Sequence, residues 1–162
     1  MAVTINGNGQ TIVQVVQTFF PSTFSTTSTS FTNVTGLSAS ITPSSASNKL
    51  LVIVNGYGSV STNTGSCLFD LTRNGSSVGG GTANSNKPSV IGNGSIPFNS
   101  TTHSISIHYL DSPATTSAVT YQVRIKAQSG LTGTIGYAPG EADNADYGRY
   151  PSSITILEIS GS

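Results

Sequence analysis

The chain is 162 residues long, the length of one ordinary domain, and only 7% of its residues are charged, against roughly 25% in an average soluble domain. Its formal net charge is zero, which argues against the cationic surface that nucleic acid requires and against a basic membrane-surface patch. Solvation falls instead to 27 serines and 22 threonines, and a neutral hydroxyl coat suits a protein held in an assembly, because little charge keeps copies apart.

The first residues, "MAVTINGNGQ", carry neither a basic segment nor an apolar core, so they are not expected to act as a secretory signal. The expectation is synthesis in a cytoplasm and use without processing. Residues 1–28 read as an arm or attachment segment. They hold one strand-like piece near 11–16, then Phe19, Phe20 and Pro21, then a hydroxyl-rich tract containing Phe24. Half of the six phenylalanines lie there, which suggests that the arm packs on something. Residues 29–162 are expected to form the folded domain.

Within that domain alternation is the dominant signal, and no helical spacing competes with it. Strands are expected near 30–41, 49–60, 66–73, 76–81, 88–97, 103–110, 118–128, 131–137 and 153–160. In "AVTYQVRIKAQ", Val119, Tyr121, Val123, Ile125 and Ala127 share one face, with Thr120, Gln122, Arg124, Lys126 and Gln128 on the other. In "HSISIHYL", Ile105, Ile107 and Tyr109 oppose Ser104, Ser106 and His108. "LFDLTRNGSSVGG" is a hairpin whose Asn74-Gly75 pair suits a type I′ turn. Two stretches are apolar on both faces. "KLLVIV" runs unbroken from Leu50 to Val54, and "SITILEI" places Ile154 and Ile156 on one parity with Leu157 and Ile159 on the other. Such a run means that both faces are covered or that a bulge switches faces; because a sandwich core covers one face of each strand, a second covered face suggests a neighbouring subunit. The strand spacing predicts an all-β fold: a two-sheet antiparallel sandwich, jelly-roll-like, preceded by the arm.

Chemistry-bearing motifs are sparse. "GSSVG" at 75–79 matches the nucleophile-elbow pattern around Ser77, but a hairpin turn precedes the serine and no helix follows it. His103 and His108 are five residues apart on one strand and therefore face opposite ways. The sequons at Asn33, Asn74, Asn93 and Asn99 match the count expected from so much Ser and Thr. Cys67, the single cysteine, reads as a buried apolar residue. No metal or cofactor site is expected. "GEADNADYGRY" is the exception to a low-charge chain, because Glu141, Asp143 and Asp146 are half of its six carboxylates. They admit three readings: a solvated or contact loop, a Ca²⁺ site helped by Asn144, or a catalytic pair. The order of an EF-hand loop is not met. Tyr147, Arg149 and Tyr150 favour a contact loop, being of the types that anchor protein interfaces.

Four stretches carry a resemblance: "TNVTGLSASITPSSASNKLLVIV", "LTRNGSSV", "LDSPATTSAVTYQVRIKA" and "NADYGRYPSSITILEI". Together they resemble a family of small β-sandwich modules in tailed-bacteriophage virions. Such modules occur in phages of cyanobacteria and other aquatic bacteria, as capsid decoration (cement) proteins and as fibre-tip domains. The resemblance implies a jelly-roll-like sandwich, a homotrimer and no enzymatic activity. A tail fibre carries a long shaft, and this chain has no shaft repeats. The expectation is therefore a decoration protein on the capsid exterior, bound to the major capsid protein and tying capsomers together. The alternative is a tail-fibre or head-fibre knob that binds a host surface glycan. The expected assembly contacts are Phe19, Phe20, Phe24, Leu51, Ile53, Tyr147, Arg149, Tyr150 and Leu157, with neither nucleic acid nor membrane as a partner.

Overall fold

The computed structural model describes residues 9, 11–62, 64–93, 101–143 and 145–161. Among them the chain forms strands only: β1 (Ile12–Phe20), β2 (Phe24–Thr26), β3 (Thr32–Ile41), β4 (Lys49–Val60), β5 (Cys67–Arg73), β6 (Ser76–Val78), β7 (Gly92–Asn93), β8 (His103–Asp111), β9 (Val119–Ala127), β10 (Gly133–Ile135) and β11 (Ser152–Ile159). All pairings are antiparallel.

The first sheet is built on β4, whose length lets it serve several partners. β11 pairs with Lys49–Asn55 and β10 with Gly58–Val60 along one side, while β8 pairs with Leu50–Gly58 along the other. β1 lies outside β11 and β2 outside β10. The sheet is thus four strands wide, in the order β1/β2, β11/β10, β4, β8. The second sheet runs β3, β9, β5, with β6 and β7 sharing the far side of β5. With β1/β2, β6/β7 and β10/β11 each counted as one position, the path alternates between sheets except at the β5–β6 hairpin. This is the connectivity of an eight-position jelly roll, as expected for the two-sheet sandwich.

Alternation decides the core. β9 buries Val119, Tyr121, Val123, Ile125 and Ala127 and leaves the intervening polar residues half-buried. Leu50, Val52 and Val54 of β4 meet Ile154 and Ile156 of β11, Ile105 and Ile107 of β8, and Phe69 and Leu71 of β5. The hairpin forms as expected: Arg73 pairs with Ser76, and Asn74 (φ 49) and Gly75 (φ 86) take the left-handed conformations of a type I′ turn.

The N-terminal segment behaves differently from the expected arm. Strand structure does not stop near residue 16 but continues to Phe20, and Phe24–Thr26 of the hydroxyl-rich tract forms a second strand. Both lie on the rim of the first sheet, where Pro21 between them removes no ladder bond from a central position. Phe20 is 8% exposed and belongs to the core. Its ring lies over Gly36 (φ 89), where a Cβ would come within 3.2 Å of it. Elsewhere the structure is shorter than the sequence reading: 76–81 yields β6, 131–137 yields β10, and of 88–97 only Gly92 and Asn93 are strand among the described residues.

Candidate functional site

The outward face of the first sheet is the candidate site. Register aligns Val15 of β1 with Leu157 of β11, Leu157 with Leu51 of β4, and Leu51 with Leu110 of β8. One apolar row therefore crosses all four strands on the solvent side. Its two ends are open, with Val15 56% and Leu110 52% exposed. Ile53 follows in the next row between Thr155 and His108, and Ile159 pairs with Ile12 beyond the other side. Val13 and Phe19 add exposed apolar surface on β1. No carboxylate stands on these outward positions, and Lys49 is a charge at the rim. Apolar patches of this breadth on a solvent face mark contact sites.

The expected assembly contacts divide accordingly. Leu51, Ile53 and Leu157 come together on this face, with Phe19 exposed at its edge. Phe20 does not belong with them, because it is part of the protein's own core, and Phe24 packs partly against that core. Tyr147, Arg149 and Tyr150 lie apart, in the loop between β10 and β11.

That loop is built around Glu141. Ala138 to Glu141 forms a turn with Pro139 second, closed by Glu141 N–H donating to the Ala138 carbonyl at 3.2 Å. The Glu141 side chain turns inward, 7% exposed, and ion-pairs with Arg149. Arg149 also lies over the Tyr137 ring, 5.4 Å from its centre. Tyr150 stacks on Tyr57 of β4 with centroids 4.8 Å apart. The three acids of this stretch are thus separated: Glu141 is internal, while Asp143 and Asp146 are exposed. Among the described residues no three His, Cys, Asp or Glu side chains gather where they would hold a metal ion; Asn144 lies outside the described residues. Thr101, Thr102, Ala138, Glu141, Tyr147 and Tyr150 line an open cleft of about 260 Å³.

The remaining motif residues have structural surroundings. Ser77 sits on β6, donating to Asp70 at 3.0 Å and accepting from Arg124 at 3.0 Å. His103 and His108 are both exposed on β8. Cys67 is buried, and burial pushes its thiol up to about 12. Of the sequons, Asn99 lies outside the described residues.

Sequence reading missed the acids inside the sandwich. Glu158 of β11 is fully buried. Ser44 donates to Glu158 Oε1 through N–H at 2.7 Å and Oγ–H at 2.9 Å, Asn48 Nδ2 donates to the same oxygen at 2.5 Å, and Gln14 Nε2 donates to Oε2 at 2.5 Å. Burial alone would raise its pKa; the bonds from Asn48, Gln14 and Ser44 outweigh burial and bring it to about 2. Asp111 of β8 accepts both 2.8 Å contacts of Arg73 Nη1 and the phenol of Tyr121, which joins the two sheets. Burial, then Asp111 itself, raises the Tyr121 pKa, so its proton stays in that bond. A signal was present: Glu158 continues the inward parity of Ile154 and Ile156, and Asp111 that of Ile105 and Ile107.

Compared with known proteins, the chain matches no family model and no curated sequence.

Proposed function

We propose that this protein is a non-enzymatic structural module of a tailed-phage particle, and most specifically a capsid decoration protein. The observation that carries this reading is the uncharged apolar row Val15–Leu157–Leu51–Leu110 across the outward face of the first sheet. A protein that buries four of its six carboxylates and leaves such a row outside is suited to a fixed contact.

In this reading three copies meet with their first-sheet faces around a common axis. Four strands at ~4.8 Å and about eight residues at ~3.3 Å give a face of roughly 500 Å² in projection. That is the larger part of the roughly 800 Å² each partner contributes to a standard interface. The major capsid protein is the second partner, met by surfaces left free in the trimer. Ile12–Phe20 and Phe24–Thr26 belong to the sheet, so this reading places attachment at the trimer's rim.

Copy number tests the placement. Quantitative mass spectrometry of purified particles is expected to find this chain in numbers comparable to the capsomers. A count limited to that of tail or fibre parts would overturn the decoration reading in favour of the knob.

A further inference from the structure

We infer that the cleft lined by Thr101, Thr102, Ala138, Glu141, Tyr147 and Tyr150 is a binding site for a single uncharged sugar ring. This does not depend on where the module sits in a particle, because it concerns the isolated protein.

Three properties of the cleft select that ligand class. The first is its walls. Tyr147 and Tyr150 are 40% and 37% exposed, so aromatic surface with a polar tip borders the cleft. Sugar rings present apolar C–H faces to such surfaces and hydroxyls around their rims. Thr101 and Thr102 supply hydroxyls at the cleft that match those of a sugar.

Charge is the second. Glu141 is paired with Arg149, so among the described residues lining the cleft no carboxylate is left uncompensated to attract a cation and no free guanidinium to attract an anion. A neutral, hydroxyl-rich ligand fits that balance, and a phosphate or a Ca²⁺ ion does not. The third is size and rigidity. About 260 Å³ lies below the roughly 300–1,000 Å³ of sites for drug-sized ligands, which limits the occupant to about one ring. The Tyr150 and Glu141 side of the cleft is held before any ligand arrives. Tyr150 rests on Tyr57, its N–H donates to the Gly136 carbonyl at 2.9 Å, and Glu141 closes the Ala138 turn. Such preorganisation lowers the ordering cost of binding.

The test is saturation-transfer NMR on the full chain with glucose, galactose, mannose and N-acetylglucosamine, and with glucuronate and Ca²⁺ as charged controls. At least one neutral sugar is expected to bind saturably with a dissociation constant on the order of 1 mM, as about a dozen ligand atoms allow. Tyr147→Ala is expected to weaken it about tenfold without shifting the melting temperature. Binding by none of the neutral sugars, preferential binding of glucuronate or Ca²⁺, or binding unchanged in Tyr147→Ala would each overturn the inference. Copy number in particles is blind to this cleft, and the titration is blind to particle position, so the failure of either reading leaves the other standing.

Discussion

The outward faces of the two sheets differ in how they treat water. On the second sheet, Arg124 of β9 reaches Asp70 of β5 at 2.5 Å and Ser77 of β6 at 3.0 Å. Arg124 and Lys126 both lie over the Phe31 ring, at 5.5 and 5.3 Å from its centre. Gln122 donates to the carbonyls of Val34 and Leu37, where the β3–β9 register shifts. Polar groups thus close that face upon itself. The first sheet does the reverse. Glu158 and Asp111 point inward, flanking Leu50 in register, while Leu51, Leu157 and Leu110 point out. A chain with so few charges can satisfy one outer face internally and leave the other for a partner.

The largest effect should come from breaking the apolar face. Leu51→Asp combined with Leu157→Asp places adjacent like charges in the centre of the row. Light scattering should show trimers giving way to monomers, with association weakened roughly a hundredfold or more. Ser40→Asp, exposed on the second sheet, should leave the oligomer intact. A wild-type chain that is already monomeric, or a double variant that still assembles, removes the distinction between the faces.

Removing the internal closure of the second face comes next. Arg124→Ala leaves Asp70, 2% exposed, without its ion pair. Because Arg124 is itself 22% exposed, the cost falls toward the lower end for a broken buried pair, about 2–3 kcal/mol in urea unfolding. Oligomeric mass should not change. A loss of assembly in this variant with stability untouched would reverse the roles assigned to the two faces.

How much of this was legible beforehand follows from parity. Alternation in Val119–Ala127 placed β9 and its buried face directly, and Asn74-Gly75 placed the hairpin. The doubly apolar runs at Leu50–Val54 and Ile154–Ile159 announced a second apolar face, and that face is where the row stands. Residues 17–26 were not legible, because Pro21 and a run of serines and threonines also describe a linker. Hydroxyl residues around one buried phenylalanine, Phe20, serve equally as a sheet rim, and pairing with β11 and β10 decides the matter. The acids misled for a different reason. Low overall charge drew notice to the clustered Glu141, Asp143 and Asp146, whereas the isolated Glu158 and Asp111 had the deeper structural roles. Long-range partners such as Ser44, Asn48 and Arg73 become visible only once the sheets are assembled.

The acid limb of stability sharpens the contrast in the first sheet. Glu158 has a folded pKa of about 2 against an ordinary value of 4.5. A depressed carboxylate contributes stability that is fully present above the unfolded value and is lost as pH falls through the folded one. The urea midpoint should therefore drop between pH 4.5 and pH 2, and Glu158→Gln should show a shallower drop from a lower starting stability. Identical slopes in both proteins would mean that the bonds from Asn48, Gln14 and Ser44 do not act on the charged form.

The smallest effect tests how the second face covers Phe31. Phe31 is capped by two cations, and each such contact at a partly exposed site contributes about 0.5–1 kcal/mol. Lys126→Ala removes one cation while Arg124, held by Asp70 and Ser77, stays over the ring. Lys126 has no comparable anchor in its pairing with Leu68, so its departure strains nothing else. The expected loss is at most about 1 kcal/mol, with no change in oligomeric mass. If Lys126→Ala instead promotes new association, Phe31 was a latent contact kept closed by that lysine. The second face would then be self-covered only as long as its charges remain, and the difference between the two faces would be one of degree.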